Sequence, residues 1–288
     1  MISAEPLNSM LNTVRSVGDL RANIAAWRRG GQTIALVPTM GALHEGHLDL
    51  VRAAKLRADK VVASIFINPA QFAAHEDLDR YPRTQTRDME LLDGAGCDLL
   101  YAPTKSVMYP DGFATTVAVS NVSAPLEGVF RPHFFGGVAT VVAKLFIQAA
   151  PDFAFFGEKD WQQLQVVTKM AGDLDLGIEV IGVPTRREID GLAMSSRNAY
   201  LTAEERAIAP ALKASLDRVY DAIVADQQEI ALRVEAEILR LVGAGFSSVD
   251  YLAACHAQTL APWQKGDPLR ILAAAWLGKT RLIDNRGA

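Results

Sequence analysis

Short apolar runs alternate along this chain with stretches of helical periodicity, and that rhythm predicts its layers. Ile34-Ala35-Leu36-Val37 is a continuous apolar run of strand length, and Leu48 to Lys55 after it carries apolar residues at helical spacing. Before the run, Gly18 to Arg29 sets Leu20, Ile24 and Trp27 on one side of a helix that stops at Gly30-Gly31. Val61 to Ile67 predicts a second buried strand, Arg87 to Leu92 a helix, and Leu99 to Ala102 a third strand. Thr115 to Ser120 alternates polar and apolar residues and predicts another strand. Val138 to Gln148 then reads as an apolar helix, Asp152 to Phe156 as a strand, Trp161 to Met170 as a helix and Glu179 to Val183 as a strand. Strands that alternate with helices build a parallel sheet with helices on both faces. Beyond about Thr185 the texture changes. Ala203 to Ala225 and Glu229 to Leu241 predict long helices, and Val249 to Ala254 and Leu269 to Ile283 predict strands of a small second sheet. The expected division is 1–185 and 186–288, with residues 1–17 as a loose leading segment.

The candidate chemistry sits at strand ends. Pro38-Thr39-Met40-Gly41-Ala42-Leu43-His44-Glu45-Gly46-His47 lies where the first long strand hands over to a helix. In an open α/β sheet that is where ligands bind, and the free N–H groups of a helix start favour an anion. His44 and His47 form the H-x-G-H pattern of adenylate-forming nucleotidyltransferases; a helix-capping loop with two partly exposed histidines is the plainer alternative. Gly157-Glu158-Lys159-Asp160 repeats the arrangement at a later strand end, where Lys159 could meet phosphate and Asp160 could accept from ribose hydroxyls. The plainer alternative there is a helix start with favourable acids and a solvated lysine. Met194-Ser195-Ser196-Arg197, on a loop led by Gly191, offers two hydroxyls and a guanidinium, or else an ordinary N-cap and a surface arginine. Gln71 stands at a third strand end as a neutral donor and acceptor, or as a solvent-exposed loop amide.

Other patterns fail. Gly94-Ala95-Gly96 follows a helix and precedes a strand, the wrong order for a dinucleotide fingerprint, so it reads as a helix terminator. Gly278-Lys279-Thr280 mimics the end of a P-loop, but Ala273 stands where that loop needs its first glycine. His44-Glu45-Gly46-His47 lacks the H-E-x-x-H spacing of a zinc protease.

Composition narrows the class. A net charge of -4 over 288 residues gives no field for nucleic acid. Apolar runs fall short of the roughly 20 residues a spanning helix needs, and Met1 to Asn12 shows neither the basic nor the apolar region of a signal peptide. Cys97 and Cys255 have no motif spacing and are expected to be reduced and buried, which fits a cytoplasmic protein without membrane attachment.

Taken together, the motifs resemble the pantoate–β-alanine ligase family over nearly the whole chain. The resemblance rests on residues 38–47, Phe66-Ile67-Asn68-Pro69-Ala70-Gln71-Phe72, Tyr81-Pro82-Arg83-Thr84, the run 137–146, Gly157 to Leu164 and Asp190 to Asn198. It implies a Rossmann-like nucleotidyltransferase domain with a smaller α+β C-terminal lid. It implies condensation of pantoate with β-alanine through pantoyl adenylate, releasing AMP and pyrophosphate, with ATP as substrate, Mg²⁺ alongside the triphosphate, and a homodimer. Carried over, Met40, Gly41, His44, Gly46 and His47 line the ATP site, and His47 matches the family's catalytic histidine. His44, Lys159 and Arg197 join it in offsetting charge at phosphorus. Gly157, Lys159 and Asp160 hold ribose and phosphate, and Glu158 and Arg186 join the ATP site. Met194, Ser195, Ser196 and Arg197 hold phosphates from the lid side. Gln71 and Gln163 hold pantoate. The metal ligands stay unassigned. One stretch departs from the family: Arg131-Pro132-His133-Phe134-Phe135 puts Phe134 where a histidine is usual, so His133 is left without a role and loop packing is the plainer reading of Arg131 and His133. Two other classes remain to be separated from the ligase: adenylyl transfer to a phosphate ester, and an ATP-binding sensor without turnover.

Overall fold

The computed structural model describes residues 11–72, 78, 80–225 and 229–287; the first ten residues of the leading segment lie outside them. Six strands form one parallel sheet. In chain order they are β1 (Thr13–Val14), β2 (Ile34–Thr39), β3 (Lys60–Ile65), β4 (Leu99–Tyr101), β5 (Phe153–Gly157) and β6 (Glu179–Val183). Their spatial order is β1-β4-β3-β2-β5-β6, so the chain moves outward from β2 in one direction and then returns to its other side. The crevice between the C-terminal ends of β2 and β5 is therefore the switch point of a Rossmann-like sheet.

Helices cover both faces because the central strands are apolar on both sides. Ile34 to Val37 and Val61 to Ala63 are fully buried. On one face lie α1 (Val17–Arg29), α6 (Phe134–Ala149) and α7 (Trp161–Asp173), packed with Leu36, Val62 and Tyr101. On the other lie α2 (Glu45–Arg57) and α3 (Gln85–Gly94), packed with Ala35, Val37 and Ala63. In α6, twelve of sixteen residues are buried, so it is a core element, and the Gln148 carboxamide within it accepts from the buried Tyr101 hydroxyl at 3.0 Å. Ser16 caps α1 through Asp19 N–H, and Gly31 follows its end at φ +74°, as the glycine pair suggested. Gly94 ends α3, and Gly96 turns the chain at φ +84°.

A separate three-stranded antiparallel sheet follows, in the order β7 (Ser248–His256), β8 (Leu269–Leu277) and β9 (Thr280–Gly287). The helices α9 (Ala211–Val224) and α10 (Ile230–Ala244) pack with it around Leu212, Leu216, Leu241 and Ile271. Among the described residues no helix is long and apolar enough to cross a membrane.

Three expectations need correction. Thr115–Ser120 has no regular secondary structure and joins no sheet: Val117 and Val119 pack on the core, and the Val117 N–H donates to Thr140 Oγ1 on α6 at 2.9 Å. Its alternation records one-sided packing on a helix, not a ladder. The helix expected over Ala203–Ala225 is two, α8 (Ala203–Ile208) and α9, because Pro210 has no N–H to continue the first. The leading segment contributes β1, whose Thr13 and Val14 pair with Leu100 and Tyr101 at the edge. Two one-turn helices, α4 (Lys105–Met108) and α5 (Glu127–Phe130), carried too few residues for a periodicity to show.

Candidate active site

The loop after β2 is shaped by a carboxylate. Asp88 on α3 is almost fully buried and accepts from Ala42 N–H at 3.0 Å, Leu43 N–H at 2.9 Å and the Thr84 hydroxyl. Gly41 crosses this point at φ +83°, and a Cβ there would lie 3.1 Å from the Asp88 carboxylate, so glycine suits the turn on both counts. The loop delivers His44 to the N-cap of α2 and His47 to its first turn. Their ring centroids are 4.1 Å apart.

These imidazoles are neutral at physiological pH. His44 is pushed down to about 4 by burial and by the nearby Lys159 charge, against smaller opposing effects of Asp160 and Glu45. His47 is pushed down to about 3 by burial, by His44 and by Lys159. The His44 backbone N–H donates to His47 Nδ1 at 3.3 Å, which places the His47 proton on Nε2 as a donor. The His44 Nδ1 atom is buried with no hydrogen-bond partner among the described residues.

Across the switch point, Gly157, Lys159 and Asp160 line the same cleft, whose volume is about 1210 Å³. Lys159 Nζ lies 3.7 Å from Asp160. On the third side a hairpin folds back over the crevice: Arg187 bridges Ala193 around Gly191, and Ser195 caps a short turn, Ser196–Tyr200, by accepting from Arg197 N–H at 3.3 Å. The hairpin contacts the histidine loop directly, for Ser196 Oγ donates to Ala42 O at 3.0 Å. Arg197 lies 6.0 Å from the Tyr81 ring, and Arg186 pairs with Asp49 on α2.

Gln71 is buried in the turn Pro69–Gln71 after β3. Its amide is held by Asn68 at 3.2 Å and touches Met40 Sδ at 2.9 Å. Asn68 in turn receives the Tyr109 hydroxyl and donates to Gly137 O on α6. That packing is so close that a Cβ at Gly137 would fall 2.4 Å from Ala70 O. Gln163 on α7 lines the cleft, and so does the neighbouring Gln162, whose amide is spent on Val122 O, Pro125 O and Glu127 N–H.

The cleft thus gathers Met40, His44, Gly46, His47, Gln71, Gly157, Lys159, Asp160, Gln163, Arg186 and the stretch Met194 to Arg197. Two expected residues are outside it. Gly41 lies behind the loop it turns, and Glu158 points the other way, pairing with Arg270 of β8 at 3.1 Å. The ion pair with Arg270 holds Glu158 on that side, while Lys159 and Asp160 face the cleft. Residues not foreseen also line the cleft: Arg131, whose guanidinium donates to Gln71 O at 3.2 Å and covers the Phe134 ring at 3.9 Å, together with His133, Tyr81 and Arg80. No signal in the sequence joined Arg131 to Gln71, which lies 60 residues away in the chain.

A parallel sheet with two neutral histidines and a lysine at its switch point, and a basic hairpin above them, defines a nucleotidyltransferase-type enzyme of the Rossmann-like class. The model of the pantoate–β-alanine ligase family matches residues 12–287, and the chain belongs to that family. It is 56% identical over 276 residues to the pantothenate synthetase of Caulobacter vibrioides, covering 94% of this chain and 96% of that one. It is 55% identical to that of Paramagnetospirillum magneticum over 98% of this chain and 99% of the relative. Among solved structures, pantothenate synthetase from Thermus thermophilus superposes with a TM-score of 0.89 at 45% identity, over 96% and 99% of the two chains. Pantoate–β-alanine ligase from Francisella tularensis, complexed with a β,γ-ATP compound and β-alanine, gives 0.80 at 31% identity over 96% and 97%. The chain is accordingly a carbon–nitrogen ligase that joins pantoate to β-alanine, which sets aside adenylyl transfer to a phosphate ester and a silent sensor.

Proposed function

We propose that the cleft performs this ligation in two steps on ATP. Pantoate's carboxylate oxygen attacks the α-phosphorus, the bond from that phosphorus to the bridging oxygen breaks, and pyrophosphate leaves. The free amine of β-alanine then attacks the acyl carbon of pantoyl adenylate, AMP departs with its oxygen, and the amine proton passes to solvent. The observation that carries this reading is the convergence of His44, His47, Lys159 and Arg197 on one crevice at the switch point. Charge builds on phosphoryl oxygens in the transition state, and preorganised donors aimed at it lower the barrier.

The roles divide by element. His47 and His44, with Met40 and Gly46, face the phosphates from the helix start; Gly41 acts by shaping their loop. Gly157, Lys159 and Asp160 take ribose and phosphate, and Arg186 with Met194 to Arg197 cover them from the hairpin. Gln71 and Gln163 read pantoate's hydroxyls and carboxylate without adding charge, and Arg131 beside Gln71 favours a carboxylate there. Mg²⁺ fits this site as part of its nucleotide. Among the described residues no cluster of three acidic, histidine or cysteine side chains is set for a metal, while Mg²⁺ keeps most of its waters and is commonly held by substrate phosphates with one carboxylate. Asp160, exposed in the cleft beside Lys159, is the carboxylate that would share it. The ion would neutralise triphosphate charge.

The boundary between domains falls near residue 185, and residues 186–288 act as the lid. The Ser196 bond to Ala42 O supports this, because it is a closing contact between the two parts. Exclusion of water protects an acyl adenylate from hydrolysis. The Thr115–Ser120 segment joins neither sheet and leaves alternate residues exposed, which supports a homodimer paired there. Buried, unpaired Cys97 and Cys255 suit a reducing cytoplasm.

The division of labour is tested by comparing two variants in steady-state kinetics. Gln71→Ala is expected to raise the KM for pantoate about tenfold and leave that for ATP nearly unchanged, and Lys159→Ala to do the reverse. Equal losses for both substrates in both variants would refute the assignment.

A further inference from the structure

The turn that carries Lys159 is held from the other sheet. Asn285 on β9 is almost completely buried, and its side-chain Nδ2 donates to two successive carbonyls of the turn, Glu158 O and Lys159 O, each at 2.8 Å. Its Oδ1 accepts from Arg270 Nε at 2.8 Å. Arg270 is buried too; it reaches Glu158 through Nη2 and lies over the Trp161 ring at 3.5 Å. The amide orientation is fixed by this chemistry, since two carbonyls need donors and a guanidinium needs an acceptor. Within its own part of the fold the turn is held at its start by the pairing of Gly157 with Val183, and among the described residues no side-chain capping bond closes it at Gly157 or closes α7 at Asp160.

The residue before Asn285 does the same for a second segment of the cleft. Asp284 is buried and takes Arg187 in a two-pronged pair, at 2.7 and 3.0 Å. Arg187 directly follows Arg186 of the proposed nucleotide site and begins the hairpin that leads to Ser196 and Arg197. One short piece of β9 therefore touches the backbone of the lysine turn and anchors the root of the basic hairpin.

We propose that Asn285, oriented by Arg270, is a positioning residue for Lys159, so that the small sheet sets the geometry of the nucleotide site. Its amide atoms are taken up by Arg270 and by the two carbonyls, so it acts through the backbone on which the lysine stands. The inference rests on the reading above that Lys159 meets ATP.

The test is a double-mutant cycle on the full-length enzyme. Asn285→Asp is nearly isosteric: it keeps an acceptor for Arg270 but turns an oxygen toward both carbonyls. Asn285→Ala, which removes both sets of bonds without adding charge, guards against a variant that fails to fold. Each is combined with Lys159→Ala, and KM and kcat are measured with ATP, pantoate and β-alanine varied in turn. Both single Asn285 variants are expected to raise the KM for ATP about tenfold and to leave those for pantoate and β-alanine within about twofold. Added to Lys159→Ala, neither should raise the KM for ATP further. Additive losses would overturn the positioning role while leaving Lys159 in the site, as would equal losses for all three substrates. A Lys159→Ala enzyme with unchanged ATP kinetics would refute the reading of Lys159 itself, and this inference with it.

Discussion

His44 and His47 stand 4.1 Å apart by ring centroid at the start of α2, and burial decides their chemistry. Burial removes the water an imidazolium needs, the Lys159 charge works in the same direction on both rings, and His44 does so on His47, so both rings remain neutral at pH 7. Each has a folded-state pKa below its ordinary value of 6.5, to about 4 for His44 and about 3 for His47. As pH falls below about 6.5 the unfolded chain takes up protons that the folded chain refuses. Stability from these groups is thus complete above pH 6.5 and is lost toward pH 3–4, by up to about 1.4 kcal/mol per pH unit for each. Proton NMR of the imidazole Cε1–H signals should show no titration of either ring between pH 8 and 5 in the folded enzyme; a midpoint near 6.5 would contradict the environment described. Removing the His47 donor by His47→Ala should cost about 10²–10³-fold in kcat, the scale of one preorganised group at a charge-developing centre. Rapid-quench measurement of adenylate formation reads this directly, and near-normal turnover would take His47 out of the reaction.

At the scale of elements, the histidine loop depends on α3 as much as on its own helix. Asp88 accepts two backbone N–H groups of that loop and a threonine hydroxyl. Asp88→Ala would leave those buried donors unmatched, at a cost of about 1–3 kcal/mol. Urea unfolding should show that loss, and adenylate formation should fall with it as the histidines lose their register; an unchanged midpoint would show that the loop holds itself. Nothing in the sequence marked Asp88, which is one acid inside an ordinary helical stretch whose partners are 45 and 46 residues away. The histidine motif and the Gly157 turn were legible because apolar runs, glycines and polar residues fall in a strand–turn–helix order that chemistry requires. The side to which Glu158 turns was not legible, since it depends on Arg270, 112 residues later. Thr115–Ser120 shows the converse failure: alternation reports that one face is buried, and it does not say whether a helix or a strand does the burying. Pro210 stood in plain view as a helix break, and the Ala-rich pattern around it masked its effect.

For the whole molecule, the order of strands places every segment of the cleft at one end of the sheet, and the small domain supplies the rest. In this mechanism pantoate is activated at an α-phosphorus before the amine takes part. Labelled pyrophosphate should therefore exchange into ATP in the presence of enzyme, Mg²⁺ and pantoate alone. Omitting pantoate should abolish exchange, and β-alanine should be unnecessary. Exchange that appears only with β-alanine, or exchange of labelled phosphate or ADP in place of pyrophosphate, would contradict the mechanism.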